Sequence, residues 1–441
     1  MEGSLADVEG LALPKILSEV IATRPEELLW CVEKIAAAGG GAWLVGGAVR
    51  QGMIGKQPND WDLAVDLEPE QMLEIFPNAL ATGVRYGTIT LRRGEYLFEA
   101  TTLRGEGPYG DGRRPDSVSY SKSLAADLAR RDFTFNAMAV DLVRELLHDP
   151  FEGRIDLANQ RLRSVGDPVH RLGEDGLRIM RAYRFLDLGG GILCKPDLSL
   201  EKALVTKQYM IDNVSKERVW DEFRRILSGD SVGMIVRRMA GDGLLNRILP
   251  GSWHSAESCI AAQRHPCLNG IEVEARFALL LKESDYDSIE PGLRELKMSN
   301  AQIATTLTLR RRLGTTPLGK PAGILRRYRA VLGESMATQL NIDRALANAL
   351  DDSKEVEFDD FIKRINDLPI LTAGDKSLVD GLWLMDFTGM PQGRRLGRLK
   401  EWIHLLQVER DLGDISEIES LLCTLIWQHG DELSWPRLAW P

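Results

Sequence analysis

The pattern of apolar residues changes near residue 160, and this change constrains the fold of the 441-residue chain more than any other feature. Before residue 160, short apolar runs bounded by glycine predict buried strands. The candidate strands are 42–45, 61–65, 88–92 and 96–103. After residue 160, apolar residues recur at spacings of three and four, which is typical of helices. We therefore predict an α+β fold, in which a small mixed sheet with its helices precedes an all-helical remainder.

The composition predicts a protein of the cytoplasm. No stretch reaches about eighteen consecutive apolar residues, and the first residues lack the basic, apolar and small-residue order of a secretory signal. The five cysteines form no Cys-x-x-Cys pair. The sequence therefore predicts neither a disulfide framework nor a zinc site.

The formal net charge of -10 argues against a nucleic-acid partner, but the charge is unevenly distributed. Residues 301–330 contain seven basic side chains and no Asp or Glu. These are Arg310, Arg311, Arg312, Lys320, Arg326, Arg327 and Arg329. Such a run is either a solvated face or a surface that contacts phosphates, and the missing acids leave both interpretations open.

A glycine turn followed by an aspartate pair is the strongest local motif. Residues 44–50 read as a strand, two glycines and the start of a helix that carries Arg50. Such a turn lets backbone N–H groups approach phosphates, and the guanidinium adds a cationic fork. Asp60 and Asp62 follow, two apart on a predicted strand, so their carboxylates face the same way. Paired carboxylates can hold Mg²⁺ against a triphosphate.

Each part of this motif is common by itself. A bare Asp-x-Asp occurs by chance in many chains, and Gly-Gly is more often a simple turn. The order of glycine turn, arginine and Asp-x-Asp strand is the arrangement that a metal-dependent phosphoryl or nucleotidyl transferase requires.

Further motifs in the same order carry a resemblance to a known family. Residues 130–137 read Arg-Arg-Asp-Phe-Thr-Phe-Asn-Ala, residues 174–178 read Glu-Asp-Gly-Leu-Arg, and residues 215–219 read Ser-Lys-Glu-Arg-Val. With these motifs the chain resembles the class II CCA-adding tRNA nucleotidyltransferases and their bacterial poly(A) polymerase relatives. The resemblance is dense over residues 42–230 and is limited to helical character afterwards.

The resemblance implies a polymerase-β-like nucleotidyltransferase head followed by a helical neck, body and tail. The predicted divisions are an N-terminal extension at 1–27, the catalytic head at 28–157, a base-recognising neck at 158–232, and a tRNA-binding body and tail at 233–345 and 346–441. The acidic stretch from Asp351 to Asp360 is expected to be a surface connection between helical subdomains.

The resemblance also implies two Mg²⁺ ions held by Asp60 and Asp62. One ion would activate the primer 3′-hydroxyl, and the other would stabilise the leaving pyrophosphate. Glu99 lies on a predicted strand. It is either a third acidic group near the metals or a glutamate that faces solvent.

The remaining motif residues are implied to bind the nucleotide. Gly46, Gly47 and Arg50 would take the triphosphate. Ribose and phosphate contacts would come from Arg131, Asp132 and Asn136, although turn formation and helix capping are the structural alternative for the last two. The base-reading set is Glu174, Asp175, Arg178, Arg181 and Arg184.

Asp175 and Arg178 are three apart on a helix predicted from Glu174 to Leu188, which places them on one face. In a generic helix they would form a salt bridge. In the family, a carboxylate acceptor beside a guanidinium donor matches the amino group and ring nitrogen of cytosine and adenine. Uracil and guanine would turn a carbonyl oxygen toward the carboxylate and leave donors unpaired.

The implied reaction is template-independent addition of CCA, or of its terminal A, to the tRNA 3′ end from CTP and ATP. Three alternatives stay open: an A-adding enzyme that works with a separate CC-adding enzyme, a poly(A) polymerase, and an inactive RNA-binding protein. Segment 105–117 resembles the flexible element that helps such sites change from cytidine to adenosine addition. Gln51 stands where the family usually has Asp, which removes a charge beside Arg50. The predicted RNA-binding set is Arg310, Arg311, Arg312, Arg326, Arg327 and Arg329.

Overall fold

The computed structural model describes residues 4–105, 119–248, 257–351 and 354–441. The chain divides into two units: the first comprises residues 1–231 and 238–248, and the second comprises 232–237 and 249–441. Beyond Gly105, the segment 105–117 that was predicted to be a loop lies outside the described residues.

Among the described residues of the first unit, eight strands form one mixed sheet. They are β1 (Leu11–Ala12), β2 (Ala42–Val45), β3 (Leu63–Val65), β4 (Leu80–Gly83), β5 (Thr88–Arg93), β6 (Tyr96–Thr102), β7 (Ala139–Asp141) and β8 (Leu146–His148). Their order in the sheet is β1-β8-β7-β2-β3-β6-β5-β4. The pair β3 and β6 is parallel, and the other neighbours are antiparallel. A separate parallel pair joins β9 (Arg161–Leu162) to β10 (Lys195–Pro196).

The predicted strands 88–92 and 96–103 are confirmed as β5 and β6, which pair antiparallel as a hairpin whose turn contains Gly94 with a φ of +58°. The predicted strand at 61–65 is shorter than expected and begins at Leu63. The carbonyl of Asp62 still accepts a hydrogen bond from Val45 N at 3.0 Å. Pairing ends there because the neighbouring strand β2 turns away at Gly46. The aspartate pair therefore lies at the strand entrance rather than within it.

The helices alternate with the strands in the first part of the chain and then continue without a sheet. The helices up to residue 248 are α1 (Lys15–Ile21), α2 (Glu26–Ala37), α3 (Gly47–Met53), α4 (Pro69–Ile75), α5 (Leu124–Ala129), α6 (Gly153–Ala158), α7 (Pro168–Glu174), α8 (Leu177–Phe185), α9 (Leu198–Thr206), α10 (Lys216–Leu227), α11 (Val232–Gly241) and α12 (Leu245–Ile248). Those that follow are α13 (Glu257–Ala262), α14 (Val273–Leu280), α15 (Tyr286–Glu295), α16 (Asn300–Arg311), α17 (Ala322–Leu332), α18 (Met336–Leu350), α19 (Lys354–Asn366), α20 (Gly381–Thr388), α21 (Arg394–Arg410) and α22 (Ile415–Thr424). None of the helices in the described ranges has the length and apolar character that a membrane crossing requires.

The helix predicted from Glu174 to Leu188 is wrong at its start. Helix α7 ends at Glu174, Asp175 is extended with a φ of -145° and a ψ of 106°, and α8 begins at Leu177. The break depends on Gly176, because a β-carbon there would lie 2.2 Å from the carbonyl oxygen of Met210. Asp175 is consequently not on the helical face that carries Arg178.

Much of the predicted N-terminal extension is packed into the first unit. Strand β1 pairs with β8, and α1 packs on α3. Ala6 and Val8 lie against a buried cluster of the sheet and α5 that includes Trp43 and Leu128. Residues before α2 therefore contribute to the same core as the catalytic motifs.

The second unit is helical and contains separate buried clusters. One lies among α13, α14, α16 and α18, another among α17, α18 and α19, and a third among α20, α21 and α22. Trp435 belongs to the third cluster, and Trp440 packs edge-on against Tyr328 with ring centroids 5.1 Å apart. The tryptophans of the C-terminus are thus packing elements.

The acidic connection predicted at Asp351–Asp360 is wrong beyond residue 353, because α19 begins at Lys354. Its acids lie on a helix whose apolar side chains Phe358 and Phe361 are buried. The predicted division between residues 345 and 346 falls inside α18. The domain divisions made from the sequence otherwise stay predictions.

Candidate active site

The glycine turn forms one wall of a cavity in the first unit. Strand β2 ends at Val45, Gly46 adopts a φ of +67°, and α3 begins at Gly47. Any residue other than glycine would be strained at this φ, and its β-carbon would lie 3.6 Å from Nη1 of Arg131. Apart from its chain neighbours and its own helix, no atom of the described residues lies within 4 Å of a β-carbon built at Gly47. The turn therefore leaves its backbone open toward the guanidinium of Arg131.

Carboxylates form the opposite wall. Because Leu63 of β3 pairs with Ala100 of β6, the preceding residues Asp62 and Glu99 lie side by side at the strand entrance. Burial, together with the charges of Glu99 and Asp60, raises the pKa of Asp62 to about 6, although Arg131 opposes the shift. Both Asp60 and Glu99 are exposed. The like charges around Asp62 make this wall a place where a cation is stabilised.

Asp132 lies at the centre of a hydrogen-bond network behind the glycine turn. Its Oδ1 accepts from the backbone N of Phe133 at 2.8 Å and from Nδ2 of Asn136 at 2.9 Å. Its Oδ2 accepts from Nε of Arg181 at 2.6 Å. Burial would raise the pKa of Asp132, but the charge of Arg181 and these hydrogen bonds lower it to about 2. Asn136 in turn accepts a hydrogen bond from Arg50.

Arginines of α3 and α8 surround one aromatic ring. The guanidinium carbons of Arg184, Arg50 and Arg181 lie 4.0, 4.7 and 5.4 Å from the ring centroid of Phe185. Glu222 of α10 accepts from Nε of Arg184 at 2.6 Å and lies 3.7 Å from Nη1 of Arg181. Burial and the nearby charge of Arg184 lower the pKa of Arg50 to about 10. The guanidinium groups are held by stacking and by one buried carboxylate.

Asp175 and Arg178 make different ion pairs rather than one with each other. Asp175 accepts from Nη2 of Arg218 at 3.1 Å and from the backbone N of Leu177 at 3.0 Å. Buried Arg178 donates to Glu174 at 2.6 Å and to the carbonyl oxygen of Arg130 at 3.1 Å. Glu174, predicted as a nucleotide contact, is therefore bound to Arg178. Asp175 and Arg178 do not form the salt bridge that a continuous helix would give, because the helix is interrupted at Asp175.

These side chains meet in a cavity of about 510 Å³. The predicted residues that line it are Gly46, Gly47, Arg50, Asp62, Glu99, Arg131, Asp132, Asn136, Asp175, Arg178 and Arg181. The described lining also contains charged residues outside the predicted set, namely Arg104, Asp127, Arg130 and Arg218. The predicted residues Asp60, Glu174 and Arg184 are not among the described residues that line it. The charge of Asp60 nevertheless acts on Asp62, and Arg184 stacks on the ring of Phe185. One cavity thus brings together the glycine turn, the carboxylates and the pair Asp175 and Arg178.

Comparison with known proteins follows the same motifs. Residues 42–163 match the model described as poly A polymerase head domain, and residues 196–255 match the probable RNA and SrmB-binding site of polymerase A. A CCA-adding enzyme of Geobacillus thermodenitrificans is 32% identical over 370 residues, which is 83% of this chain and 89% of the relative. The chain belongs to the family of CCA-adding enzymes.

Solved structures of CCA-adding enzymes also resemble the chain. The crystal structure of the Bacillus stearothermophilus enzyme in complex with CTP matches with a TM-score of 0.75 and 27% identity, covering 91% of this chain and 98% of that one. The Thermotoga maritima enzyme complexed with tRNA matches with a TM-score of 0.66 and 21% identity, covering 93% and 98%. At the lower identity the likeness concerns the fold.

As a CCA-adding family member, the protein is a nucleotidyltransferase, and such enzymes generally use a divalent metal ion. Among the described residues, no group of three or more His, Cys, Asp and Glu side chains is arranged to hold a metal ion. The crowded carboxylate of Asp62 nevertheless fits a divalent ion, because oxygen ligands from a bound triphosphate complete such sites. The oxygen atoms offered here are the ligands that a hard cation prefers.

The lining residues that the motifs did not select had weak sequence signals. Arg130 and Arg218 lie within the quoted motifs, and Asp127 precedes Arg131 by four residues, the spacing of neighbours on a helix. Arg104 lies far from every motif in sequence. It reaches the cavity because its backbone follows β6 and pairs with Tyr120.

Most of the predicted RNA-binding arginines contact backbone carbonyls of the second unit. Arg310 donates to the carbonyl oxygens of Leu281 and Lys282, and Arg329 donates to those of Leu368 and Pro369. Arg312 contacts Ser335, Arg326 contacts Glu409 and Asp411, and Arg327 contacts Glu409 and Ala439. Their RNA-binding role, and that of Arg311, stays a prediction. These contacts show that the basic run also stabilises helix and loop ends.

Proposed function

We propose that this protein adds CCA, or its terminal A, to the 3′ end of tRNA, using CTP and ATP and releasing pyrophosphate. The observation that carries the proposal is the single cavity that joins a glycine turn, a crowded carboxylate wall and the pair Asp175 and Arg178. Membership of the CCA-adding family and the match to an enzyme in complex with CTP support it.

The basic wall of the cavity suits the triphosphate. The backbone of Gly46 and Gly47 and the guanidinium of Arg50 face the same space as Arg131. Asp132 and Asn136 have their polar atoms bound to Arg181 and Arg50, so their main contribution is to hold these arginines in place. A guanidinium whose partner fixes its orientation binds a phosphate without first losing side-chain entropy.

Asp60 and Asp62 would hold Mg²⁺, and Glu99 would add a third negative charge beside them. When bound, the ion supplies charge stabilisation for the attacking 3′-hydroxyl and for the leaving pyrophosphate. Asp62 is suited to this role because its pKa is raised by burial and by its acidic neighbours. A positive charge at this point relieves the repulsion among the carboxylates, so binding of the ion stabilises the folded state.

The base would be read by Asp175 and Arg178 in place of a template strand. Asp175 comes from the extended break between two helices and Arg178 from the first turn of α8, and both line the cavity. Arg178 is buried and bound to Glu174, which fixes the donor. Arg218 pairs with the carboxylate of Asp175 and so holds this acceptor in place. Glu174, Arg181 and Arg184 act in this proposal as supports for the base-reading pair.

The acceptor end of tRNA would enter from the helical part of the chain, and the cytoplasm is the compartment that we propose. The match of residues 196–255 to a probable RNA-binding site of polymerase A supports an RNA substrate. Contacts to RNA duplexes rely on phosphates, 2′-hydroxyls and shape.

The test uses purified protein, Mg²⁺ and three forms of one tRNA, which end before CCA, after C and after CC. Each form is supplied with CTP, ATP or both, and the products are separated at single-nucleotide resolution. We expect each form to be extended to CCA and no further. Replacement of Mg²⁺ by EDTA is expected to stop all addition, and Mn²⁺ or Ca²⁺ in its place tests which ion is preferred.

Other product patterns would identify the alternatives. Extension of the CC-ended form alone, by A alone, would restrict the function to terminal A addition. Long A tracts on an unstructured RNA would indicate a poly(A) polymerase. Binding of tRNA without any extension, in every metal tested, would leave an inactive RNA-binding protein.

A further inference from the structure

Asp127, a buried carboxylate of α5, lines the cavity and lies outside the family motifs quoted from the sequence. Its side chain is enclosed by two arginines, one at each oxygen. Oδ2 accepts from Nε and Nη2 of Arg131 at 3.2 and 3.0 Å, and Oδ1 accepts from Nε and Nη2 of Arg130 at 2.9 and 2.7 Å. With only 1% of its surface exposed, Asp127 is a fixed point between them.

This contact determines where the free edge of Arg131 points. A guanidinium is planar, so two hydrogen bonds along the Nε–Nη2 edge fix the direction of the third nitrogen. That nitrogen, Nη1, lies 3.6 Å from the position of a β-carbon at Gly46 and 3.5 Å from the carbonyl oxygen of Asn136. Arg131 is therefore aimed along the glycine turn.

The charge of Asp127 is secured by the same neighbours. Burial alone would raise its pKa, but the charges and hydrogen bonds of Arg131 and Arg130 hold the pKa below its usual range. The carboxylate is thus ionised at neutral pH. An ionised acceptor forms shorter and stronger hydrogen bonds with a guanidinium than a neutral one does.

The position of Asp127 is itself fixed from two directions. Oδ1 also accepts from the backbone N of Arg104 at 3.2 Å, where the chain leaves β6. At the start of α5, Ser123 accepts from Ala126 N at 3.0 Å and Asp7 accepts from Ala125 N at 3.0 Å. The helix that carries Asp127 is therefore capped twice and tied to the sheet.

We propose that Asp127 is a positioning residue, which orients Arg131 for the triphosphate and ribose of the incoming nucleotide. The inference rests on the proposed function, because it requires Arg131 to contact the nucleotide. The triphosphate and ribose are common to CTP and ATP. Loss of Asp127 should therefore weaken the binding of both nucleotides alike and leave the choice of base unchanged.

The experiment compares Asp127→Asn, Arg131→Ala and the double variant in the tRNA extension assay. Asn keeps an acceptor for Arg130 but presents an amide N–H₂ where Arg131 needs an acceptor. We expect the KM for ATP and for CTP to rise about tenfold each in Asp127→Asn, with kcat changed by about twofold or less. In the double variant the KM should exceed that of Arg131→Ala by about twofold at most, because the two residues act in series.

Asp141→Asn is the matched control. Asp141 of β7 is also buried and pairs with one arginine, Arg144, at 2.8 Å, away from the cavity lining. The Asp141→Asn substitution should lower the melting temperature without changing the KM for ATP or for CTP. Asp127→Glu keeps the charge but moves it by one methylene, so it tests the positioning even if Asp127→Asn fails to fold. A KM increase of several fold is expected there.

The outcomes separate the inference from the proposed function. If Arg131→Ala leaves both KM values unchanged, Arg131 does not bind the nucleotide, and the proposed role of Arg131 fails together with the inference. If Arg131→Ala raises KM but Asp127→Asn and Asp127→Glu do not, only the inference is overturned. Additive effects in the double variant, or a KM change for one nucleotide alone, would also overturn it.

Discussion

Two sets of carboxylates line the same cavity, yet their environments are opposite. Asp132 and Asp127 are each bound by arginine guanidinium groups, which hold the pKa of both below the usual range. Asp62 lies beside Glu99 and Asp60, and its pKa is raised to about 6. The first set is satisfied by the protein and positions cations, whereas the second is stabilised only when a cation arrives. A ligand site is therefore recognisable by the charge that the fold leaves uncompensated.

The largest expected effect is that of Asp62→Asn on catalysis. We expect kcat to fall at least about a thousandfold for both nucleotides, because a metal ligand contributes several kilocalories per mole to transition-state stabilisation. Binding of tRNA, measured by filter binding, should be unchanged. Asp66→Asn is the control, since Asp66 is buried nearby but accepts a hydrogen bond from Gly41 N. Turnover of Asp62→Asn near that of wild type would contradict the metal assignment.

Asp62→Asn should also stabilise the metal-free protein at pH 7. A raised pKa means that the folded state favours the protonated acid. The stabilising contribution of protonated Asp62 to the free energy of unfolding is therefore complete below about pH 4 and is lost as the pH rises through about 6. Allowing for partial exposure, the gain in the free energy of unfolding is on the order of 1 kcal/mol. Urea denaturation in EDTA measures this free energy. A lower free energy of unfolding in Asp62→Asn than in wild type at pH 7 would contradict the crowding of negative charge at Asp62.

Asp132→Asn should have the opposite effect on stability. Removing this charge leaves Arg181 without its main partner, and breaking a buried pair costs about 3 kcal/mol. Because the pKa of Asp132 is lowered to about 2, its contribution is present above about pH 4 and is lost as the pH falls toward 2. Urea denaturation between pH 2 and 7 tests this. Equal pH dependence in wild type and variant would show that Asp132 is not held as an anion.

Arg178→Ala is expected to relax the choice of base. The cavity would keep the acceptor of Asp175 but lose the donor beside it, so discrimination against UTP and GTP should fall about ten- to a hundredfold. Misincorporation on a CC-ended tRNA measures this. Arg171→Ala is the control, because Arg171 also binds Glu174 but lies outside the described cavity lining. Unchanged discrimination in Arg178→Ala would exclude Arg178 as the donor.

The smallest effect is that of Asp7→Ala. Asp7 accepts hydrogen bonds from Ser123 Oγ and Ala125 N, and loss of such a cap costs about 1 kcal/mol. The melting temperature should fall by a few degrees. Asp414→Ala, which removes the cap of α22 in the second unit, should lower stability similarly without changing the KM for ATP. An Asp7→Ala melting temperature equal to that of wild type would show that Ser123 alone suffices.

Local patterns predicted the elements that are determined by neighbouring residues. The strands at 88–92 and 96–103 and the helical character after residue 160 are confirmed, because turn chemistry and apolar spacing act over a few residues. Strands β7 and β8 were missed. They are three residues each, too short for a periodic signal. β7 is a strand because β2 offers it a partner, and β8 is a strand because it pairs with β7.

By itself, the sequence determined the α+β organisation, the family and many of the residues that line one cavity, because these depend on motifs whose order is written along the chain. Only the tertiary structure decided how the charges are paired. Asp175 is paired with Arg218 rather than placed on one helical face with Arg178, and Asp127 holds Arg131. The physical reason is that an ion pair depends on distance and burial, which arise when segments far apart in sequence pack against one another.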